Sequence, residues 1–342
     1  MIRDAIRKII EGNGLTEVEA AEAMMEIMDG DATPSQVASL ITALRMKGET
    51  VDEVSGFVRV MRERSIRIPT KRKAACLLDT CGTGGDHMNT FNISTTAAFV
   101  VAGAGLAVAK HGNRAMSSKC GSADVLEALG VNIALTPEQV GRCIDDVGIG
   151  FLFAPSLHPS MRHAVVPRKE IGIRTVFNIL GPLTNPADAK MQVIGVFELH
   201  LTELMCGVLK RLGSESAIVA HGLDGLDEIS TIGRTKITEL KDGELSTYEI
   251  CPEDVGLTAA SPESLLQGEG PSESARIVEQ VLSGEVGPKR DIVLLNAGAA
   301  LKTAKRAASF QEGIALAGES VDSGKALKAL KDLRKLSKKL SG

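Results

Sequence analysis

Apolar residues near the N-terminus fall at helical intervals, with Ile2, Ile6, Ile9 and Ile10 separated by charged side chains. A threonine is then followed three positions later by Glu or Gln in three places: Thr16/Glu19, Thr33/Gln36 and Thr50/Glu53. Each pair fits a capping box, whose two side chains satisfy free N–H groups at a helix start, and Pro34 stands where its missing N–H does no harm. Gly30 and Gly48 supply stops. The pattern predicts a small all-helical unit. A basic, irregular run at 62–73 (RERSIRIPTKRK) follows it, and a solvated connector explains this run better than a phosphate patch.

Beyond the connector, short apolar runs alternate with helical patterns. Strands are expected at 76–79, 106–109, 131–135, 192–197, 217–220 and 292–295. Helices are expected at 95–104, at 122–129 before Gly130, at 136–147 behind a fourth threonine box (Thr136/Gln139), and at 201–212. Such alternation indicates an α/β domain with a largely parallel central sheet. The tail sets Leu327, Leu330, Leu333, Leu336 and Leu340 on one face and lysines on the other, as in a terminal helix packed onto the domain.

Charge narrows the possible partners. With 39 Lys+Arg against 43 Asp+Glu, the net charge is −4, so no general field favours nucleic acid or an anionic membrane surface. Any anionic ligand must be held locally. The six cysteines form neither a C-x-x-C pair nor a Cys/His zinc pattern, and they read as free thiols of a cytoplasmic protein. The N-terminus MIRDAIRKIIEGNG lacks a signal-peptide core, and no stretch approaches the ~18 apolar residues of a membrane span.

Three loops carry the candidate chemistry. "DTCGTGGDHMNTFNIST" (79–95) joins a strand end to a helix start. Its Gly82, Gly84 and Gly85 let backbone N–H groups approach a phosphate ahead of the helix, although GTGGD alone suits a tight turn equally well. "KHGNRAMSS" (110–118) follows the next strand, so Lys110, Asn113, Arg114 and Ser118 are expected to face the glycine loop across one crevice. His111 alone reads as a hydrogen-bonded loop histidine. "HGLDGLDEIS" (221–230) offers Asp224, Asp227 and Glu228, carboxylates of the kind Mg²⁺ recruits while keeping water and phosphate oxygens as its other ligands. Asp145 and Asp146 are expected at the surface. Phosphate loops beside a Mg²⁺ loop imply a polyphosphate substrate.

These segments, with "HPSMRHAVVPRKEIGIRTVFNILGPLTNPA" (158–187) and "LLNAGAAL" (294–301), resemble the anthranilate phosphoribosyltransferase family over most of the chain. The resemblance implies a fold like that of pyrimidine nucleoside phosphorylases. It has a helical domain at 1–70, to which 165–185 returns, and a donor-binding α/β domain at 74–342. It also implies a homodimer joined through the helical domains, and transfer of phosphoribosyl from 5-phosphoribosyl 1-diphosphate to the amine of anthranilate in tryptophan synthesis. By position, Gly82, Thr83, Gly84, Gly85, Asp86, Thr90, Asn92, Ser94, Thr95, Lys110 and Ser122 fall on donor-binding sites. Gly82, His111, Asn113 and Arg168 fall on anthranilate sites, and Ser94, Asp227 and Glu228 on residues holding two Mg²⁺ per monomer. His87 stands where the family usually has glycine, which bears on how the loop closes. The competing expectations are a nucleoside phosphorylase-like glycosyltransferase, against which the acidic pair speaks, and a silent nucleic-acid-binding relative, against which the charge speaks.

Overall fold

In the computed structural model, which describes residues 1–86, 88–115 and 119–341, the N-terminal pattern becomes helices α1 (Ile2–Ile10), α2 (Glu17–Asp29), α3 (Pro34–Lys47) and α4 (Val51–Glu63). Thr16, Thr33 and Thr50 each accept the N–H three residues on, and Glu19, Gln36 and Glu53 accept the N–H of the capping threonine. Glu53 does more than cap. Fully buried, it also accepts the Leu15 N–H at 2.9 Å and pairs with Lys47 at 3.0 Å, tying the start of α4 to the chain ahead of α2.

The larger part runs β1 (Leu77–Asp79), α5 (Ile93–Gly103), β2 (Ala107–Gly112), α6 (Ser122–Ala128), α7 (Pro137–Val147), β3 (Ile149–Phe153) and the short α8 (Ala154–Leu157). It continues through α9 (Arg162–Ile171), α10 (Phe177–Leu183), β4 (Met191–Gly195), α11 (Leu201–Arg211), β5 (Ser216–Gly222), β6 (Thr235–Lys241) and β7 (Glu244–Ile250). Four helices close it: α12 (Pro271–Leu282), α13 (Pro288–Thr303), α14 (Phe310–Asp322) and α15 (Lys325–Ser341). One sheet has the order β3-β2-β1-β4-β5-β6-β7. Its pairs are parallel from β3 to β5, and β6 and β7 add on antiparallel. Alternate strand residues serve opposite faces, as the pleat requires. Leu78, Val108, Val193 and Ile218 pack with α5, α12, α13 and α15, whereas Ile194, Val196, Ala217 and Val219 pack with α1–α4, α10 and α11. Leu327, Leu330, Leu333, Leu336 and Leu340 all join the first of these cores.

Two expected strands are not strands. At 131–135, Val131 and Ile133 are buried, but the backbone is committed elsewhere: Val131 N–H to Leu126 O at 2.9 Å, and Asn132 N–H to the Ser337 hydroxyl at 3.1 Å. The alternation there reports burial, not pairing. The run 292–295 lies inside α13, a helix buried on nearly every side, where a short apolar stretch looks the same as a buried strand. Conversely, the β6–β7 hairpin went unread although Asp242-Gly243 marks its turn, both residues taking positive φ (51° and 80°). The connector is less free than its composition suggests. Asp145, expected at the surface, accepts from the Thr70 hydroxyl at 2.6 Å and from Lys71 N–H at 3.1 Å, pinning the connector to α7; Asp146 is exposed.

Candidate active site

Strands β1, β2, β4 and β5 end along one edge of the sheet, where parallel α/β proteins place ligands. After Asp79 the chain forms the glycine loop and enters α5 at Asn92. Gly84 and Gly85 take φ of 68° and 85°, a consecutive left-handed pair that side chains would oppose. Thr83 fastens the loop to β4, its N–H donating to Gly195 O at 2.9 Å while its hydroxyl accepts the Phe197 N–H at 3.2 Å.

Lys110 and His111 lie inside β2, not in the loop after it, and both are buried. Lys110 Nζ donates to Thr80 O at 2.7 Å, which brings its charge to the root of the glycine loop. Beneath it Asp79 is fully buried and accepts from His111 N–H (3.1 Å) and from Asn185 Nδ2 (2.7 Å). Burial pushes the Asp79 carboxyl up to about 6, against the pull of Lys110. The same Asn185 amide donates to Ala109 O at 2.8 Å, locking β1 to β2. Sequence reasoning assigned no role to Asp79 or Asn185; their only signal was position, one at a strand end and one in an N-P turn.

The acidic loop follows β5. Asp224 is consumed in shaping it, accepting the Leu226 N–H at 3.0 Å and the Ser230 hydroxyl, and so drops out as a metal candidate. Glu228 lines a recess with Thr80, Gly82, Ser94 and Gly195, and it and the adjacent Asp227 are half-buried, still reached by solvent. Glu228 accepts the Ser94 N–H at 3.2 Å, so the start of α5 meets the acidic pair directly. Burial pushes Glu228 up to about 7, with Lys110 opposing and Asp86 adding to the rise. Asp227 is raised well above the usual carboxylate range by burial first, then by the negative charges of Asp86 and Glu228. Asp86 holds Met88 N–H with one oxygen (3.0 Å), and its other oxygen is buried with no partner.

Excess negative charge on hard oxygens, with an orphaned carboxylate oxygen beside it, fits a divalent cation of the Mg²⁺ type. Among the described residues no three His, Cys, Asp or Glu side chains form a closed metal cage, so water and ligand oxygens would supply the remaining positions. Asn92 Oδ1 and Thr95 Oγ1 are likewise buried without partners at the start of α5, although Asn92 Nδ2 donates to Cys120 O at 3.2 Å. Thr90 pairs its backbone with Leu266.

The second loop divides. Ser122 donates to Asn113 O at 3.2 Å and stays beside β2, with Asn113 exposed. Arg114, expected to face the crevice, is instead drawn to α6 by Asp124 (3.0 Å) and Glu127 (2.9 Å), two carboxylates that outcompete an open site. Ser118 and His87 lie outside the described residues.

Helix α10 meets β2 through His111, and α9 ahead of it packs on α2 and α3. Arg168 lies over the Phe177 ring at 5.2 Å and has no carboxylate partner among the described residues, so burial disfavours its charge and a carboxylate would relieve it. His111 Nδ1 lies 3.1 Å from Gly181 O, which assigns the ring proton to Nδ1 and leaves Nε2 as a buried, unpartnered acceptor. Burial pushes His111 down to about 3 and its neighbour His158, 5.2 Å away ring to ring, down to about 4. Both are neutral at physiological pH. Arg174, between α9 and α10, ties that segment to the glycine loop, donating to Gly85 O while lying over Phe197 at 4.4 Å.

Known proteins share this fold. Residues 3–65 match the helical bundle domain, and residues 74–327 the a/b domain, of a glycosyl transferase family. An anthranilate phosphoribosyltransferase of Symbiobacterium thermophilum is 57% identical over 335 residues, covering 98% of this chain and 97% of that protein. The crystal structure of anthranilate phosphoribosyltransferase from Thermus thermophilus superposes with a TM-score of 0.92 at 45% identity, covering 98% of this chain and 99% of the other. The Saccharomyces cerevisiae enzyme in complex with PRPP and Mg superposes with a TM-score of 0.88 at 30% identity, covering 99% and 98%. Both domain matches and the near-full-length relatives therefore have one explanation: the chain belongs to the anthranilate phosphoribosyltransferase family of glycosyltransferases.

Proposed function

We propose that this protein transfers the phosphoribosyl group of 5-phosphoribosyl 1-diphosphate to the amine of anthranilate, releasing diphosphate, as a step of tryptophan biosynthesis. The observation that carries the assignment to this recess is the contact of Glu228 with the Ser94 N–H, which sets the acidic pair against the start of α5 and the glycine loop. In the reaction the bond from ribose C1 to the diphosphate oxygen breaks, C1 gains positive charge, and the amine lone pair forms the new C–N bond. The resulting ammonium then releases its proton to solvent water. Anthranilate's amine needs no deprotonation before attack, so expulsion of diphosphate is the demanding event.

Lys110 and the N–H groups of Gly82 and Gly85 stabilise charge growing on the leaving group, while Thr83, whose N–H is given to Gly195 O, and Gly84 hold the donor by shaping the loop. Asp86, Asn92, Thr95 and Ser122 hold the rest of the donor. Ser94, Asp227 and Glu228 would hold Mg²⁺, two ions per protomer, whose chemistry is neutralisation of the diphosphate; the yeast relative bound to PRPP and Mg supports this choice of ion. Arg168 orients the anthranilate carboxylate, with Gly82 and Asn113 alongside. Neutral His111 presents its Nε2 lone pair to the amine.

We also propose that 1–70, with 165–185 returning to it, form one domain and the rest of 74–342 the other. Supporting the division, Phe177, Ile179 and Leu180 share a core with α1–α4. A cytoplasmic homodimer joined through the helical domains completes the proposal.

Arg168→Ala tests the acceptor half. Losing a charge-assisted contact of about 1.5–3 kcal/mol raises the anthranilate KM by roughly 10- to 150-fold, with donor KM close to wild type. An unchanged anthranilate KM in steady-state kinetics would remove Arg168 from that role.

A further inference from the structure

The loop bearing Asp227 and Glu228 sets two adjacent carboxylates at the start of α5, where like charges repel one another. Something must hold it in place. On one side stands Gly195, at the end of β4, where a Cβ would fall 1.5 Å from Asp227 O. On the other stands Asn296 of α13, almost wholly buried. Its Oδ1 accepts the Ile229 N–H at 3.0 Å, and its Nδ2 donates to Ile229 O at 2.9 Å and to Ile292 O of its own helix at 2.9 Å. One side-chain amide thus grips both backbone groups of the residue directly after Glu228. Asn296 also lines the recess that contains Ser94 and Glu228. Helix α13 is in turn fixed by a close crossing with α14, since a Cβ on Gly298 would meet Ile314 N at 2.7 Å.

The geometry points to Asn296 as the positioning residue of the acidic pair, an inference that rests on the functional reading above. A neutral amide suits the task. It satisfies a buried donor and a buried acceptor together without adding charge where charge is already in excess. Aspartate at the same place keeps the hydrogen bond from Ile229 N–H but turns a second carboxylate oxygen toward Ile229 O. Residues that orient metal ligands typically affect metal affinity about 10- to 100-fold without touching the ion.

The test uses Asn296→Ala and Asn296→Asp in the full chain, with two readouts. One is the Mg²⁺ concentration giving half-maximal rate. The other is the rise in melting temperature produced by Mg²⁺ with inorganic diphosphate. Both variants are expected to need roughly ten-fold more Mg²⁺ or above, to lose most of the ligand-induced rise, and to keep an anthranilate KM near wild type. A wild-type Mg²⁺ requirement and a wild-type rise, with only a lower ligand-free melting temperature, would reduce Asn296 to a packing residue and overturn the inference. Asn296→Asp keeps side-chain volume and carries the same test where the alanine variant does not fold. A wild-type protein that shows no rise at all overturns the functional reading itself, a result distinct from a rise retained in the variants.

Discussion

Asp227→Asn combined with Glu228→Gln is expected to abolish measurable turnover while making the ligand-free protein more stable at neutral pH. The first effect follows because Glu228 accepts the Ser94 N–H and the pair would hold the ion that neutralises the diphosphate, and losing one such electrostatic contribution costs about 10²–10³ in rate. The second follows from linkage. Glu228 moves from an ordinary 4.5 to about 7 on folding, so the folded chain binds more protons than the unfolded chain between those values. Its contribution is greatest below the unfolded pKa and is lost as pH rises through the folded one. Asp227 moves in the same direction.

Asp79, held at about 6, adds a slope of the same sign, whereas the depressed His111 and His158 contribute the opposite one. Only the difference between wild type and variant isolates the acidic pair. In chelator, the melting temperature of the variant minus that of wild type should grow as pH rises from about 4.5 to about 7. A difference independent of pH would mean that the two carboxylates carry no uncompensated charge.

Gly195→Ala is the second large effect. The added methyl group would sit 1.5 Å from Asp227 O and 3.0 Å from Glu228 N. Backbone cannot yield as a flexible side chain can, so either β4 or the acidic loop must move. Overpacking of this kind costs about 1–3 kcal/mol, and a displacement near 1 Å of the carboxylates costs about 10² in rate. Gly318→Ala is the control: it lies within α14, meets nothing within 4 Å, and has no positive φ. Alanine there should leave activity intact and add up to about 1 kcal/mol of helix stability. Equal behaviour of the two variants in thermal melts and steady-state rates would contradict the wedging of the loop at Gly195.

The helical unit was legible because capping boxes are local: Thr16, Thr33 and Thr50 meet partners only three residues away, as Thr136 does ahead of α7. The glycine loop, Lys110 and the acidic pair were legible for a related reason, since parallel strands bring successive loops to one edge. Other failures, beyond the ambiguous run at 292–295 and the unread Asp242-Gly243 turn, depended on distant partners. Nothing near 131–135 reveals that Ser337 will take the Asn132 N–H, and nothing near Arg114 reveals that it will turn to Asp124 and Glu127. Asn296 stood inside a stretch whose family match was noted, but its role depends on Ile229, 67 positions away. Asn185 is similar, serving Asp79 across 106 positions. Polar residues that clamp backbone from afar leave no periodic trace.

The most direct measurement is the fluorescence of anthranilate when purified protein meets 5-phosphoribosyl 1-diphosphate, followed with Mg²⁺ and with EDTA. The account predicts a decay that needs donor, protein and Mg²⁺ together and stops on chelation. Steady fluorescence from folded protein with all three present, or a decay indifferent to EDTA, would contradict it.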